Sequence, residues 1–356
     1  MSLIHKIILV LICITGFLMC FWGLGERYLE RWDEETNVAV VNSINNNFEL
    51  KINNKPFLEK PPLWYYLTFL TAKILGDNNF SYRFVSAFSG FLLMLAIIFY
   101  CIRNFNPNTA IFSSIVFLTT SQLFYINPDG AFSTHNIRSA DLDLLQMLFN
   151  FVSLFLIVEY EKSKSQKLII IGGIFCGLGI MSKGFISLLI PLTWILWQFT
   201  KIYKTKLSIL PILRFFLVVF LVASPWHIYM VLNHGNEFTQ TYFFYHYFQR
   251  ATQTIEQHYG YTFHHIENLL NPNFFSSGII LFFGLVYILF TKKILNAEFG
   301  IITLFTLLYL ILITFVETKI AWYLLGIYPT AAIICGLFYD NLFKKILHHR
   351  KILIDK

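Results

Sequence analysis

The chain alternates long apolar stretches with short polar connections over almost its whole length. A helix needs roughly 20 mainly apolar residues to cross a hydrocarbon core of about 30 Å, and a span without internal backbone hydrogen bonds is too costly in lipid. About ten stretches of this kind predict membrane-spanning helices. They are residues 5–24, 84–101, 109–126, 142–159, 167–181, 184–200, 208–231, 275–291, 298–316 and 321–343.

Composition agrees with this pattern. The 356 residues are 56% hydrophobic and 13% charged, with a mean hydropathy of +0.60, whereas an ordinary soluble domain is about a quarter charged. The first apolar run follows Lys6 as in a signal peptide, but it is long and no small-x-small cleavage site precedes Arg27, which predicts a retained helix. The sequence therefore predicts an all-α polytopic membrane protein.

The distribution of Lys and Arg predicts the orientation, because cytoplasmic loops are enriched in both. With the N-terminus inside, one set of connections carries 16 of the 27 basic residues and few acids, so both termini are predicted to be cytoplasmic. The net charge of +7 then reflects topology, and scattered basic residues do not indicate nucleic-acid binding. The 16 residues are Lys6, Arg103, Lys162, Lys164, Lys167, Lys201, Lys204, Lys206, Arg214, Lys292, Lys293, Lys344, Lys345, Arg350, Lys351 and Lys356.

Several classes of site have no support in the sequence. All five cysteines fall in apolar segments and none forms a Cys-x-x-Cys pair, so disulfides and thiolate metal sites are not indicated. The sequence also contains no P-loop, no dinucleotide-binding glycine pattern and no obvious internal repeat. An ATPase is therefore not favoured.

The predicted outer loops are about 25–83, 127–141 and 232–274, and two of them are long enough to need a functional reason. In the first, residues 36–46 form a moderately amphipathic stretch, which predicts a short interfacial helix. A second helix is predicted to start at Pro62 and to lie at the membrane interface, where Trp64 and Tyr65 would sit.

Two acidic motifs in this loop are candidates for chemistry. Asp33, Glu34 and Glu35 are neighbouring carboxylates, an arrangement that can produce a general base, although three solvated acids are the plainer interpretation. Glu59 and Lys60 precede two prolines that fix the backbone and aim both side chains. The alternative for Glu59 and Lys60 is a surface ion pair of little consequence.

The other outer segments add further candidates. Asp143 enters an apolar helix, where a carboxylate is costly unless it is paired, and Arg138 is either its partner or a phosphate ligand. Lys183 stands alone between two apolar runs, as a phosphate ligand or as a snorkelling lysine that marks a turn. His246 and Arg250 are four residues apart and share one face of a helix.

Five basic residues are predicted at one membrane level, where the phosphate of a lipid-linked substrate would lie. Arginine can bind phosphate in a bidentate manner, and lysine acts as a point charge. Carboxylates at the same level can take a proton from an acceptor hydroxyl. This constellation favours a transferase, and its basic members are Lys60, Arg138, Lys183, Arg250 and Lys319.

In this order, the motifs resemble the aminoarabinose transferase and protein mannosyltransferase-like branch of the glycosyltransferase-C superfamily. The resemblance spans roughly residues 5–343, and its strongest motif is the Glu-Lys-Pro-Pro run after an Asp-Glu pair. The motifs that carry it are Asp33-Glu34, Phe57 to Tyr65, Arg138 with Asp143, Ser182-Lys183-Gly184, Pro225-Trp226, Phe244 to Arg250, and Lys319 to Pro329.

The resemblance implies a glycosyltransferase-C-like bundle of about ten helices that transfers a sugar, with inversion, from a polyprenyl-phosphate donor to an acceptor glycolipid, polysaccharide or protein. It implies a multi-pass protein of a bacterial inner membrane with its site facing outward. Residues 1–343 would form the transferase domain and 344–356 a basic cytoplasmic tail.

The resemblance also implies roles for particular residues. Asp33 would be the general base and Asp143 a second acid, with Glu34 on the acceptor side. Glu59 and His246 would hold a divalent metal such as zinc, although two ligands are fewer than such sites normally use. The donor phosphate would be bound by Lys60, Arg138, Lys183, Arg250, Lys319 and Tyr323.

The sequence departs from relatives in ways that leave the substrate open. Thr36-Asn37 stands where relatives often have an Arg-Tyr pair, and Leu325-Gly326 where they tend to have Leu-Pro. Relatives often add helices and a soluble outer domain beyond the position of Lys356, so a C-terminally short member is expected. The alternatives are a transporter or flippase, which needs polar residues near the midplane, and a noncatalytic binder of lipid-linked sugars.

Overall fold

A computed structural model describes residues 1–44, 49–124, 134–201 and 209–354, with side chains up to residue 348. Part of the predicted outer loop 127–141 therefore lies outside the described residues. The helices are α1 (Leu3–Phe21), α2 (Asp33–Asn42), α3 (Leu63–Leu75), α4 (Asn79–Asn104), α5 (Pro107–Leu118), α6 (Ser121–Phe124), α7 (Asp143–Ser163), α8 (Gln166–Ser182), α9 (Leu189–Phe199), α10 (Ile209–Phe238), α11 (Arg250–Thr252), α12 (His264–Leu270), α13 (Gly278–Phe290), α14 (Ala297–Phe315) and α15 (Tyr328–Ile354).

Shorter elements join these helices. A two-stranded antiparallel hairpin, β1 (Lys51–Ile52) and β2 (Lys55–Pro56), precedes α3. A π-helix, Thr239–Gln249, continues α10, and 3-10 segments occupy Phe185–Leu188, Lys293–Leu295 and Ala321–Ile327.

The prediction of an all-α polytopic membrane protein is confirmed. Among the described residues, six helical stretches are long and apolar enough to cross a membrane, and they begin at Leu3, Asn79, Asp143, Ile209, Ala297 and Ala321. The four other predicted spans appear as shorter apolar helices at Pro107–Leu118, Gln166–Ser182, Phe185–Phe199 and Gly278–Phe290. Each of the ten predicted segments therefore contains a helix.

Several helices extend beyond the predicted apolar segments, because polar residues also propagate helix when their side chains find partners. α4 begins at Asn79, where the side chain of Asn78 accepts a hydrogen bond from the Ser81 amide in a capping box. α10 continues to Phe238 and bends at Gly235, which has φ +47°. α15 runs through the predicted tail as far as Ile354.

The first predicted outer loop holds α2 and α3. Two of its aromatic residues, which were predicted at the membrane interface, have a different environment. Trp64 and Tyr65 are fully buried instead of facing the membrane interface. The hydroxyl of Tyr65 donates to Oδ1 of Asn37, 2.9 Å away, and the ring of Tyr65 packs edge-to-face with Phe57 and Trp64. This loop is therefore packed as part of the protein and holds α2 in a fixed place.

Small residues on α8 allow α10 to approach closely. A Cβ on Gly173 would lie 3.0 Å from Cβ of Val218, and a Cβ on Gly177 would lie 2.6 Å from Cβ of Val222. Close backbone contact of this kind is how helices associate in lipid, where apolar burial alone supplies little.

Polar contacts gather at two opposite ends of the bundle. At one end, Arg103 pairs with Glu159 at 3.2 Å, and Lys162 donates to Asn104 at 2.7 Å. At the other end, α2 begins at Asp33 and α7 at Asp143. This separation agrees with the asymmetry in the sequence, while the orientation in a membrane stays a prediction.

Candidate active site

The centre of the site consists of four side chains from separate elements. Asp33 is the first residue of α2, Asp143 the first of α7, and Lys183 follows the last residue of α8. His135 lies between the two acids, with Nε2 3.2 Å from Oδ2 of Asp33 and Nδ1 2.7 Å from Oδ2 of Asp143. The ammonium of Lys183 pairs with the other oxygen of Asp143.

Electrostatic interactions keep Asp33, the more exposed of the two acids, ionised. Burial acts to raise the pKa of Asp33, but the hydrogen bond and charge of His135, with the charges of Lys60 and Lys183, lower it to about 2. Burial acts to lower the pKa of His135, but neighbouring carboxylates raise it to about 9. Asp33 is therefore a carboxylate and His135 an imidazolium near neutral pH.

His135 was not singled out from the sequence. Its ring stacks on Trp322 with centroids 4.1 Å apart, and its amide donates to Oδ2 of Asp141 at 2.8 Å. The sequence could have pointed to His135 only as an ionisable residue in the short loop that precedes Asp143. A single histidine is usually structural, so the pattern alone gave no reason to choose it.

A second group of predicted residues lies beside Asp33. The charge of Lys60 acts on both Asp33 and His246, and the charge of Arg250 also acts on His246. Nε2 of His246 lies 3.8 Å from Oε2 of Glu59. The structure thus brings residues of three loops to one place.

Arg250 is held on two sides. Its Nη2 donates to both carboxylate oxygens of Glu256 at 2.8 Å, and its side chain hydrogen-bonds Tyr323. These two contacts restrain the guanidinium and keep it near the site. Tyr323, also predicted from the sequence, therefore belongs to the same group.

The turn that carries Lys183 is tightly constrained. Gly184 has φ +136°, a conformation that side chains disfavour, and a Cβ there would collide with the hydroxyl of Tyr247. The side-chain amide of Gln146 donates to the carbonyls of Gly179 and Gly184 at 3.1 and 2.9 Å. These contacts direct Lys183 toward Asp143, so it does more than mark a turn.

Three predicted residues lie elsewhere. Glu34 is fully buried in an ion pair with Arg83. Arg138 donates to the carbonyl oxygen of Trp22 at 2.6 Å, beyond the end of α1. Its proposed pairing with Asp143 is wrong, because His135 and Lys183 fill that place.

Lys319 is also engaged by the backbone. Its ammonium donates to the carbonyls of Thr314, at 2.7 Å, and Val316, at the C-terminal end of α14. Cations are favourable at such ends because the helix carbonyls are unpaired there. The phosphate and acceptor roles of Glu34, Arg138 and Lys319 stay predictions.

The buried position of Asn37 accounts for one departure from relatives. Its amide donates to the carbonyl of Ala140 at 2.9 Å and to Oδ1 of Asp141 at 3.1 Å, and it accepts from Tyr65. Asn37 thereby joins α2 to the loop that carries His135. Asn37, which stands in place of the tyrosine of the relatives' Arg-Tyr pair, therefore serves the packing of the site.

Glu59 and His246 match part of the metal prediction. Two ligands of a tetrahedral zinc ion lie about 3.3 Å apart, so a separation of 3.8 Å between Oε2 and Nε2 needs only a small adjustment. Among the described residues, however, no group of three or more His, Cys, Asp and Glu side chains could hold an ion. Glu59 and His246 would therefore be two ligands of such an ion, and its binding stays a prediction.

Comparisons with known proteins show which families the chain is similar to. Residues 59–229 match the family of dolichyl-phosphate-mannose-protein mannosyltransferases. An undecaprenyl phosphate-alpha-4-amino-4-deoxy-L-arabinose arabinosyl transferase of Pectobacterium atrosepticum is 24% identical over 80% of this chain. The chain spans 50% of that relative's length.

Solved structures share the fold. The crystal structure of ArnT from Cupriavidus metallidurans bound to undecaprenyl phosphate has a TM-score of 0.74 and 16% identity, covering 97% of this chain and 63% of that one. The archaeal oligosaccharyltransferase AglB from Archaeoglobus fulgidus has a TM-score of 0.67 and 13% identity, covering 99% and 52%. The resemblance predicted from the sequence is confirmed: the chain shares the transmembrane fold of these solved structures and resembles the aminoarabinose transferase and protein mannosyltransferase-like branch of the glycosyltransferase-C superfamily.

Proposed function

We propose that the protein is an inverting glycosyltransferase that moves a hexosyl or pentosyl group from a polyprenyl-phosphate donor to an acceptor hydroxyl. The observation that carries this proposal is the position of Asp33. Its carboxylate is partly exposed, paired with His135, and close enough to Lys60 for the lysine charge to act on it. A base beside a phosphate-binding cation is what such a transfer requires.

In the proposed reaction, the acceptor oxygen attacks the anomeric carbon from the face opposite the phosphate. Its proton passes to a free oxygen of Asp33, and the new carbon–oxygen bond forms. The bond from the anomeric carbon to the phosphate oxygen breaks, and its electron pair leaves with the polyprenyl phosphate. Asp33 is a weak base, so the proton transfers late, when the attacking hydroxyl has become acidic.

The leaving phosphate would be stabilised by Lys60, Arg250 and the hydroxyl of Tyr323. Charge-assisted hydrogen bonds to phosphate are about twice as strong as neutral ones. Lys183 is already paired with Asp143, so its main task would be to balance that buried charge. This division distinguishes the two lysines, which the sequence grouped together.

An apolar groove supports a polyprenyl chain as part of the donor. The cavity has a volume of about 490 Å³ and lies between α8, α10 and the π-helix. Apart from Ser224 and His227, its lining is apolar, and it includes Phe185, two residues after Lys183. A long isoprenoid could lie there with its phosphate near the site, in van der Waals contact with these apolar side chains.

A divalent ion would be held by Glu59 and His246, and zinc suits this mixture of nitrogen and oxygen ligands. When bound, it would add positive charge beside the donor phosphate. The test is the metal content of the purified protein by mass spectrometry. We expect close to one ion per chain in wild type and none in His246→Ala, and equal content in both would contradict the assignment.

The acceptor would be a glycolipid such as a lipid A-like molecule, a polysaccharide or a protein. The cellular site would be the outer face of a bacterial inner membrane, with both termini in the cytoplasm. This follows from the basic residues of the predicted inner connections and from the bacterial source of the relatives.

The test is conversion of polyprenyl-phosphate sugars by protein purified in lipid nanodiscs with candidate acceptors. We expect release of free polyprenyl phosphate and a product of inverted anomeric configuration. A flippase would move the donor between leaflets of a vesicle without cleaving it, and a noncatalytic binder would retain it unchanged. Either result, with every donor and acceptor pair, would contradict the proposal.

A further inference from the structure

His135 lies between the two proposed catalytic acids. Its two ring nitrogens face one carboxylate each, 3.2 Å from Asp33 and 2.7 Å from Asp143. The ring cannot turn away, because one face stacks on Trp322 with an interplanar angle of 9°. Its amide is bonded to Asp141, so the backbone is fixed as well.

The surrounding charges explain why a bridging cation is needed. Asp33 comes from α2, Asp143 from α7, and Asp141 from the loop just before α7, so three carboxylates surround one imidazole. Like charges this close repel and raise one another's pKa, which would leave one acid protonated. Lys183 reaches Asp143, and Lys60 acts on Asp33.

We propose that His135 is a positioning residue that holds Asp33 and Asp143 in place as a protonated bridge, with one oxygen of Asp33 left for the acceptor. This inference rests on the proposed function. No proton needs to pass through the ring, because Asp33 takes the acceptor proton on its other oxygen. The imidazolium stays charged throughout the cycle.

This role predicts a particular pH dependence. When the ring loses its proton, the ion pair between its Nε2 and Asp33 is lost, and Asp33 is held less firmly. Because the neighbouring carboxylates raise the pKa of His135 to about 9, the activity of wild type should fall as the pH rises through this value. A displacement of about 1 Å in a catalytic group can cost about 100-fold in rate.

The first test compares His135→Gln with wild type in the transfer assay between pH 6 and about 10. A glutamine can bond one acid but cannot bridge two as a cation. We expect kcat to fall about 100-fold at neutral pH, with little change in donor KM, and the alkaline decline to disappear. His258→Gln is the matched control, because His258 also faces Trp322 but its nearest carboxylate is Glu256, 3.9 Å away; we expect this control to behave like wild type.

The second test does not depend on turnover. Carbon-13 labelling of histidine, with His135 assigned from His135→Gln, gives its protonation by NMR. We expect titration near pH 9 in wild type and a lower midpoint in Asp143→Asn. An ordinary midpoint near 6.5 would overturn the bridge.

The outcomes separate the two proposals. Wild-type turnover with unchanged kcat and alkaline decline in His135→Gln would overturn the positioning role. Absence of turnover by wild type with every donor would contradict the proposed function, and with it the positioning role. A structural role alone would lower the amount of folded His135→Gln without removing the alkaline decline per folded molecule, which also overturns the proposal.

Discussion

Glu34 offers a sharp test of how the first outer loop is held. Its carboxylate accepts two hydrogen bonds from Arg83, both at 2.8 Å, and one from the amide of Ala140 at 2.7 Å. Both charged side chains are at most 1% exposed. Glu34→Gln keeps the size of the side chain but leaves the charge of Arg83 without its main partner.

The expected loss of stability is large. Breaking a buried ion pair by removing one partner costs about 3–5 kcal/mol. Arg83 also donates to the carbonyls of Leu24, Arg27 and Tyr28, which soften the loss, so we expect about 3 kcal/mol. At roughly 2 °C per kcal/mol for a large domain, the apparent Tm should fall by about 6 °C.

Thermal unfolding in detergent, followed by tryptophan fluorescence, measures this change. Glu35→Gln is the control, because Glu35 is the exposed neighbour of Glu34 in the same helical turn. Replacing Glu34 and Arg83 together with methionine should recover much of the stability, since apolar residues often substitute well for a buried pair. Equal Tm values for Glu34→Gln and Glu35→Gln would refute the reasoning.

Three further predictions concern the site. Gly184→Ala should lower both the Tm and kcat, because φ is +136° and the hydroxyl of Tyr247 leaves no room for a methyl group. Gly235→Ala, also at positive φ but with no atom within 4 Å, should lower the Tm through backbone strain and leave kcat unchanged. Arg250→Lys should raise donor KM about tenfold, which corresponds to about 1.4 kcal/mol, because lysine cannot make the two hydrogen bonds to Glu256 and has a single charge centre. An unchanged KM in steady-state kinetics would count against a phosphate role for Arg250. Because the folded pKa of His135 is raised from 6.5 to about 9, its stabilisation is complete below pH 6.5 and is lost as the pH rises through 9, so Tm should decline over this window in wild type and less in His135→Gln.

The helices could be predicted from the sequence because a membrane-spanning helix must have a certain length and an apolar composition, and both can be read from the sequence. All ten segments contain helices, and the convergence of Asp33, Lys60 and His246 followed from their shared membrane level. Trp64 was expected to face the membrane interface but is buried within the protein, because the same aromatic residue suits a packed core. Hydropathy does not distinguish a lipid surface from a protein surface.

The partners of charged residues were the least predictable feature. Arg138 and Lys319 were predicted to bind phosphate, yet both donate to carbonyls at or beyond helix ends. Phosphate and unpaired helix carbonyls attract the same cations, so residue type and level cannot separate the two. His135 shows the opposite case, in which a residue with no recognisable motif acquires two acidic partners through the fold.

The most direct test of the account is the rate of polyprenyl phosphate release by Asp33→Asn, compared with wild type and with Glu35→Gln. The substitution keeps the size of the side chain and removes the base. We predict a fall in kcat of about 10² to 10⁴ for Asp33→Asn, with Glu35→Gln close to wild type. Equal rates for Asp33→Asn and wild type would contradict the assignment of Asp33 as the base.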